Sequence, residues 1–105
     1  MRDKNQFNSR GQRHGYWEFY YSDGKLWISG YYNNGKYNGY WEEYRENGSL
    51  WHKGNFVNGR YNGYWENYWE NGKLWHKGNF VNGKHIGYWE LYNVEGNLTS
   101  KQYYL

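Results

Sequence analysis

The sequence predicts an all-β chain, an antiparallel β-hairpin repeat array of about eight strands in a single twisted open sheet. Three observations predict it. The 105 residues repeat with a period of 24 over most of their length. Asn-Gly and Asp-Gly pairs recur between segments rich in Tyr and Trp, the strongest short-range sign of a hairpin. Aromatic residues make up 26% of the chain, with 8 Trp and 15 Tyr against only 15 Val, Ile, Leu and Phe together. Aliphatic side chains this scarce would leave a chain disordered; aromatic rings, each burying roughly 150–250 Å², supply the core instead. Tyr, Trp, Gly and Asn are mediocre or poor helix formers, so a helical bundle is excluded.

Residues 1–10 are polar, lie outside the period and are expected to be loose. Four copies follow, over 11–34, 35–58, 59–82 and 83–105, and the second and third differ at only four positions. All 15 glycines fall in four columns, beginning at Gly11, Gly15, Gly24 and Gly30. In each copy a Tyr-Trp-Glu strand leads to a turn at Asp23-Gly24, Asn47-Gly48, Asn71-Gly72 or the weaker Glu95-Gly96. A second strand leads to Asn34-Gly35, Asn58-Gly59 or Asn82-Gly83. Read as two-residue type I′ turns, whose central residues both need φ > 0, these set a register. Tyr44 faces Trp51, Glu43 faces His52, Glu42 faces Lys53 and Trp41 faces Gly54. After the next turn Phe56 faces Tyr61, Lys53 faces Tyr64 and His52 faces Trp65. Glu42–Lys53 and Glu66–Lys77 then pair opposite charges, and the Trp41 ring lies over side-chain-free Gly54.

One face of the sheet then carries Trp41, His52, Phe56, Tyr61 and Trp65, with Trp17 and Trp89 in the same column. The other carries Tyr40, Glu42, Tyr44, Trp51, Lys53, Tyr64 and Glu66. The register slips two residues per copy, and over eight strands that builds the shear of about eight used by small barrels. Four Trp and two His overfill so narrow an interior, so the open sheet is the expected form.

Composition bounds the function. The absence of Cys removes disulfides, thiol nucleophiles and Cys-based zinc sites. The net charge of +3 comes from 13 basic and 10 acidic residues, interspersed. With Glu18, Glu42, Glu66 and Glu90 forming an acidic column, duplex nucleic acid is not an expected partner. The first ten residues lack the apolar stretch of a secretory signal. Mean hydropathy is −1.38, and nothing approaches the ~18 apolar residues of a membrane span. The cytoplasm is the expected location.

The pattern GYWExYxxNGxLxxxGxFxNGKxxG, over residues 11–105, resembles the MORN repeat family, and within it the bacterial YwqK-like, antitoxin-type variant. The residues that carry the resemblance are the pairs Gly15/Trp17, Gly39/Trp41, Gly63/Trp65 and Gly87/Trp89. Tyr20, Tyr44, Tyr68 and Tyr92 join them, with the turn glycines and Tyr32, Phe56, Phe80 and Tyr104. The resemblance implies an extended β-hairpin array acting in protein–protein contact, and in some members in membrane-lipid binding. Trp27, Trp51 and Trp75 depart from it, standing where a polar residue is expected.

No nucleophile elbow, phosphate loop or metalloprotease motif is present, and no enzymatic activity, metal or cofactor is expected. Glu43 opposite His52 would orient an imidazole, but the next copy has Asn67 there, so a cross-strand surface pair is the plainer reading. His52 and His76 lie two strands, roughly 10 Å, apart, too far to share one metal ion. Trp17, Trp41, Trp65 and Trp89 read as repeat core, with Gly54 and Gly78. Trp27, Trp51 and Trp75, bracketed by Tyr44, Tyr68, Lys53 and Lys77, read as a binding surface. His52 and His76 lie beside it, and Arg45 and Trp69, at a variable turn position, tune its specificity. Such a surface suits a protein partner or self-association through the last strand. It also suits a small aromatic, phosphorylated ligand such as a signalling nucleotide, through stacking and cation–π contact. A membrane surface is a weaker expectation, because no amphipathic helix or polybasic cluster accompanies the aromatics.

Overall fold

The structure, a computed structural model, describes residues 3–105. Its strands are β1 (Gln6–Phe7), β2 (Arg13–Tyr20), β3 (Leu26–Asn33), β4 (Lys36–Tyr44), β5 (Leu50–Val57), β6 (Arg60–Tyr61), β7 (Gly63–Tyr68), β8 (Leu74–Val81), β9 (Lys84–Tyr92) and β10 (Leu98–Tyr104). All pair antiparallel with their sequence neighbours in one open sheet, β6 being a short leading piece of β7 that also pairs with β5. No helix occurs among the described residues. The extents of 47 × 36 × 21 Å are those of one sheet and its side chains.

The Asn-Gly turns fall into two kinds. Asn34-Gly35, Asn58-Gly59 and Asn82-Gly83 have positive φ at both residues, 49° and 81° at Asn58-Gly59, as a type I′ turn requires. At the other kind only the glycine is left-handed, as at Gly48 with φ 92°. There the Gly48 N–H donates to the Arg45 carbonyl and the Arg45 N–H to the Ser49 carbonyl, both at 2.9 Å. This is a three-residue loop with a glycine bulge. The longer loop corrects the expected register at its root. Glu43 faces His52 and Trp41 faces Gly54 as expected, but Tyr44 faces Leu50 rather than Trp51. Trp51 becomes the extra residue of a bulge, next to His52.

A second irregularity overturns the expected slip between copies. Phe56 faces Tyr61, but Lys53 then faces Glu66, not Tyr64, and His52 faces Asn67, not Trp65. Two additional residues are taken up around Gly63, whose φ is 84°. The same happens between β3 and β4 and between β8 and β9. Equivalent residues of successive copies therefore stand in line across the sheet. No shear accumulates, and a barrel cannot close without it.

The core is one face of this sheet. Trp17, Trp41, Trp65 and Trp89 are all buried, Trp65 to 2% exposure. Each of the last three lies over the glycine of the preceding copy: a Cβ at Gly30 would meet Trp41 at 2.1 Å, one at Gly54 would meet Trp65 at 2.1 Å, and one at Gly78 would meet Trp89 at 2.2 Å. The ring over Gly54 is thus Trp65 and not Trp41 as expected. Trp65 is walled by Phe56 and Tyr61 edge-on, at 5.1 and 4.7 Å, and its Nε1 donates to the Asn55 carbonyl.

Residues 1 and 2 of the segment expected to be loose lie outside the described residues. Beyond them, Lys4 pairs with Glu18 at 2.8 Å, and Asn5 Oδ1 accepts the Glu18 N–H. Phe7 packs edge-on against Trp17 at 5.1 Å, in the place a preceding copy would fill.

Candidate functional site

Register distributes the expected site residues over two faces. On the tryptophan face a row runs Phe19, Ile28, Glu43, His52, Asn67, His76, Leu91, each paired to the next across the strands. The bulge after each three-residue turn places Trp27, Trp51 and Trp75 along the margin of this same face. Trp51 stacks on His52 at 5.6 Å, Trp75 meets His76 edge-on at 4.8 Å, and Trp27 meets Phe19 at 6.5 Å. The Trp27 Nε1–H donates to Glu43 Oε2 at 3.0 Å, and Glu43 Oε1 lies 2.7 Å from His52 Nε2. His52 Nδ1 in turn lies 3.3 Å from Asn67 Oδ1.

Arg45 and Trp69 stand at the turns, half-buried. Both brace the turn against the following copy. Arg45 donates to the Tyr68 carbonyl at 3.0 Å, and the Trp69 Nε1–H donates to the Tyr92 carbonyl at 3.1 Å. The Tyr21 hydroxyl makes the equivalent bond to the Tyr44 carbonyl. The same side chains cover the marginal tryptophans: the Arg45 guanidinium sits 4.6 Å over Trp51, and Trp69 stacks on Trp75 at 4.4 Å. Trp27 and Trp51 nevertheless stay 37% exposed.

Tyr44, Tyr68, Lys53 and Lys77 belong to the opposite face. There Tyr40 and Tyr44 both donate to Glu42, Tyr64 and Tyr68 to Glu66, and Tyr16 and Tyr20 to Glu18. Lys53 reaches Glu66 at 3.5 Å, and Lys77 and Lys101 reach Glu90 at 3.6 and 3.7 Å. Glu42 faces Lys53 and Glu66 faces Lys77 as expected, but each lysine makes its ion pair with the glutamate of the next copy. Lysine and tyrosine bonding holds the Glu18 carboxyl down to about 2, Lys4 contributing most. At Glu66 burial pushes the carboxyl upward, but Tyr68, Tyr64 and Lys53 outweigh it. Because the sheet stands between them, one small ligand cannot touch Trp51 and Lys53 together, nor Trp75 and Lys77. The combination of tryptophan and lysine expected for a nucleotide is therefore not assembled on one face.

The tryptophan face carries shallow cavities in series. One of about 190 Å³ lies against Arg13, Trp27, Tyr37 and Trp41. One of about 300 Å³ is lined by His52, Tyr61, Asn67, His76, Phe80 and His85, with Trp65. A third, of about 270 Å³, follows against Trp75, His85, Trp89 and Tyr104. Burial, and then the nearby His85 and His52, push the His76 imidazole below its ordinary range. Glu43 and Asn67, expected only as cross-strand partners of a histidine, and His85, which no sequence pattern singled out, also belong to this face. The sign was available, since position 43/67 is one of the four at which copies two and three differ.

A family model described as a MORN repeat variant matches residues 13–36, 37–58 and 61–82. No curated protein matches the chain.

Proposed function

Because the chain belongs to the MORN repeat family, we propose that it is a non-catalytic binding module that engages a protein partner along its tryptophan face. Repeats of this family generally serve as protein- or membrane-binding modules. The observation that favours this face is the second tryptophan row. Three times over, a backbone bulge brings an additional Trp beside a core that is already complete, and Trp27 and Trp51 remain more than a third exposed. Large, rigid, partly exposed aromatics are the side chains that dominate interface hot spots. On the opposite face the tyrosines are exposed too, but the hydroxyls of Tyr40 and Tyr64 and the lysines are already bonded to the glutamates. An antitoxin-type role is one form such binding would take.

The test is cross-linking in the native host, comparing Trp27→Ala and Trp51→Ala with Lys53→Ala on the other face. A partner kept by Lys53→Ala and lost by the tryptophan variants supports the proposal. A partner lost only by Lys53→Ala refutes it. Self-association is the second reading, favoured by the outer edge of β10, where Tyr103 is 59% exposed and no further strand pairs among the described residues. Sedimentation at rising concentration checks it, and a constant monomer mass ends it.

A further inference from the structure

The array builds the same stretch of tryptophan face repeatedly, and the last interval is built differently. In the second copy Glu43 accepts the Trp27 Nε1–H and lies against His52, so acid and imidazole satisfy each other. In the third copy Asn67 takes the place of Glu43 and faces His76. In the fourth, His85 stands where earlier copies carry Tyr37 and Tyr61. Among the described residues neither the His76 nor the His85 imidazole has a hydrogen-bond or ion-pair partner, and both lie against rings. Both border the cavity of about 300 Å³, the lower end of the size of small-molecule sites. Loss of a carboxylate and gain of an imidazole change its charge in the same direction, toward an anion. Besides Asn67, Gly83 and His52 its walls are rings, with Tyr61 and Phe80 stacked at 5.0 Å and Trp65 edge-on to Tyr61 at 4.7 Å.

We propose that this cavity is a binding site for a small aromatic anion, a single ring bearing a carboxylate or a phosphate. The ring packs among Tyr61, Trp65 and Phe80, and the acidic group is held by His76 and His85. The site is independent of the protein-binding role of the marginal tryptophans. The ionisable groups that share the cavity with His76 are His52 from β5, Tyr61 from β6 and His85 from β9. Glu43 is already engaged by His52 and Trp27, and Glu66, Lys77 and Glu90 pair on the opposite face. His76 is pushed down by burial and by the two other imidazoles, so it is neutral near neutral pH and takes up a proton as the anion enters. Binding therefore tightens as pH falls through the imidazole range.

Calorimetric titration of the whole chain with phenyl phosphate, benzoate and inorganic phosphate tests this, at about pH 5.5 and about pH 7.5. One site for an aromatic anion is expected, tighter at the lower pH by up to about tenfold per pH unit for each proton taken up. Inorganic phosphate should bind at least about tenfold more weakly, having no ring to pack. Whether benzoate or phenyl phosphate binds better identifies the acidic group. Asn67→Glu restores the second copy's wall, and Glu43 shows that the fold accepts a carboxylate there. This variant should keep its thermal midpoint and lose at least about tenfold in affinity, as should His76→Gln. The proposal is overturned if neither aromatic anion binds at either pH, if inorganic phosphate binds as tightly, or if both variants bind like the parent chain.

Discussion

Glu18, Glu42 and Glu66 each accept from two phenol hydroxyls of their own strand, and Glu90 accepts from Tyr92; this local arrangement ties the stability of the array to pH. Glu18, Glu66 and Glu90 all titrate below the ordinary carboxylate range. A carboxyl with a lower pKa folded than unfolded adds stability that is complete above the unfolded value, about 4.3 for Glu, and is lost as pH falls toward the folded value. The urea midpoint should therefore begin to fall below about pH 6.5, where the depressed His76 lets the unfolded chain take up the extra proton, and drop further from about pH 5 toward pH 2; Glu18→Gln should flatten the second drop. The tyrosines act at the other end. Burial, and then the bond to Glu42, push Tyr44 up to about 12, and burial with the bond to Glu66 raises Tyr64 and Tyr68 as well. Unfolded phenols ionise near 10, so stability should fall again above about pH 10. A midpoint independent of pH at both ends would contradict this reading.

Neighbouring hairpins are joined by a ring from one copy lying on a glycine of the copy before. Gly54 serves this packing through its missing side chain, not through an unusual φ, and an added Cβ would stand 2.1 Å from Trp65. Gly54→Ala should destabilise the chain by about 1–3 kcal/mol, the ordinary cost of overpacking. The loss should be less than additive with Trp65→Phe, because the smaller ring leaves room for the methyl group. Urea unfolding of the four-member cycle measures it, and strict additivity would mean that the two positions do not touch. The turns at the two ends of each hairpin show how the same dipeptide serves two geometries. Asn58-Gly59 uses both left-handed residues, whereas Asn47-Gly48 uses only the glycine. The distinction is faintly written in the sequence: the two-residue turns are uniformly Asn-Gly, while the others admit Asp23 and Glu95, and Glu tolerates a positive φ poorly.

Across the whole molecule, a row of stacked copies needs ends. At the start, Phe7 and the backbone of Gln6 cover Trp17, whose Nε1 donates to the Gln6 carbonyl. At the finish, Gln102 faces Trp89 in the column that holds Gly30, Gly54 and Gly78, so no further ring fits on β10. A chain beginning at residue 9 should unfold at lower urea, by about 2 kcal/mol for the uncovered aromatic surface. Its near-ultraviolet circular dichroism should change at Trp17 while the sheet signal persists. Unchanged stability would show that β1 is not a cap.

Repeat length, hairpin connectivity, the positions of the turns and the identity of the core tryptophans were determined by the sequence alone. Each follows from spacing and from backbone preferences that act within a few residues, such as Asn-Gly tolerance of positive φ. The register beyond each turn was not, because one bulged residue moves a side chain to the other face. Asn47-Gly48 is compatible with either loop length, and Gly63 with either a straight strand or a bulge. Only pairing with the neighbouring strands, and the fit of Trp65 over Gly54, selects between them. That choice put Trp51 with His52 instead of Lys53, cancelled the slip that would have curled the sheet toward a barrel, and brought His76 and His85 to one cavity from separate copies.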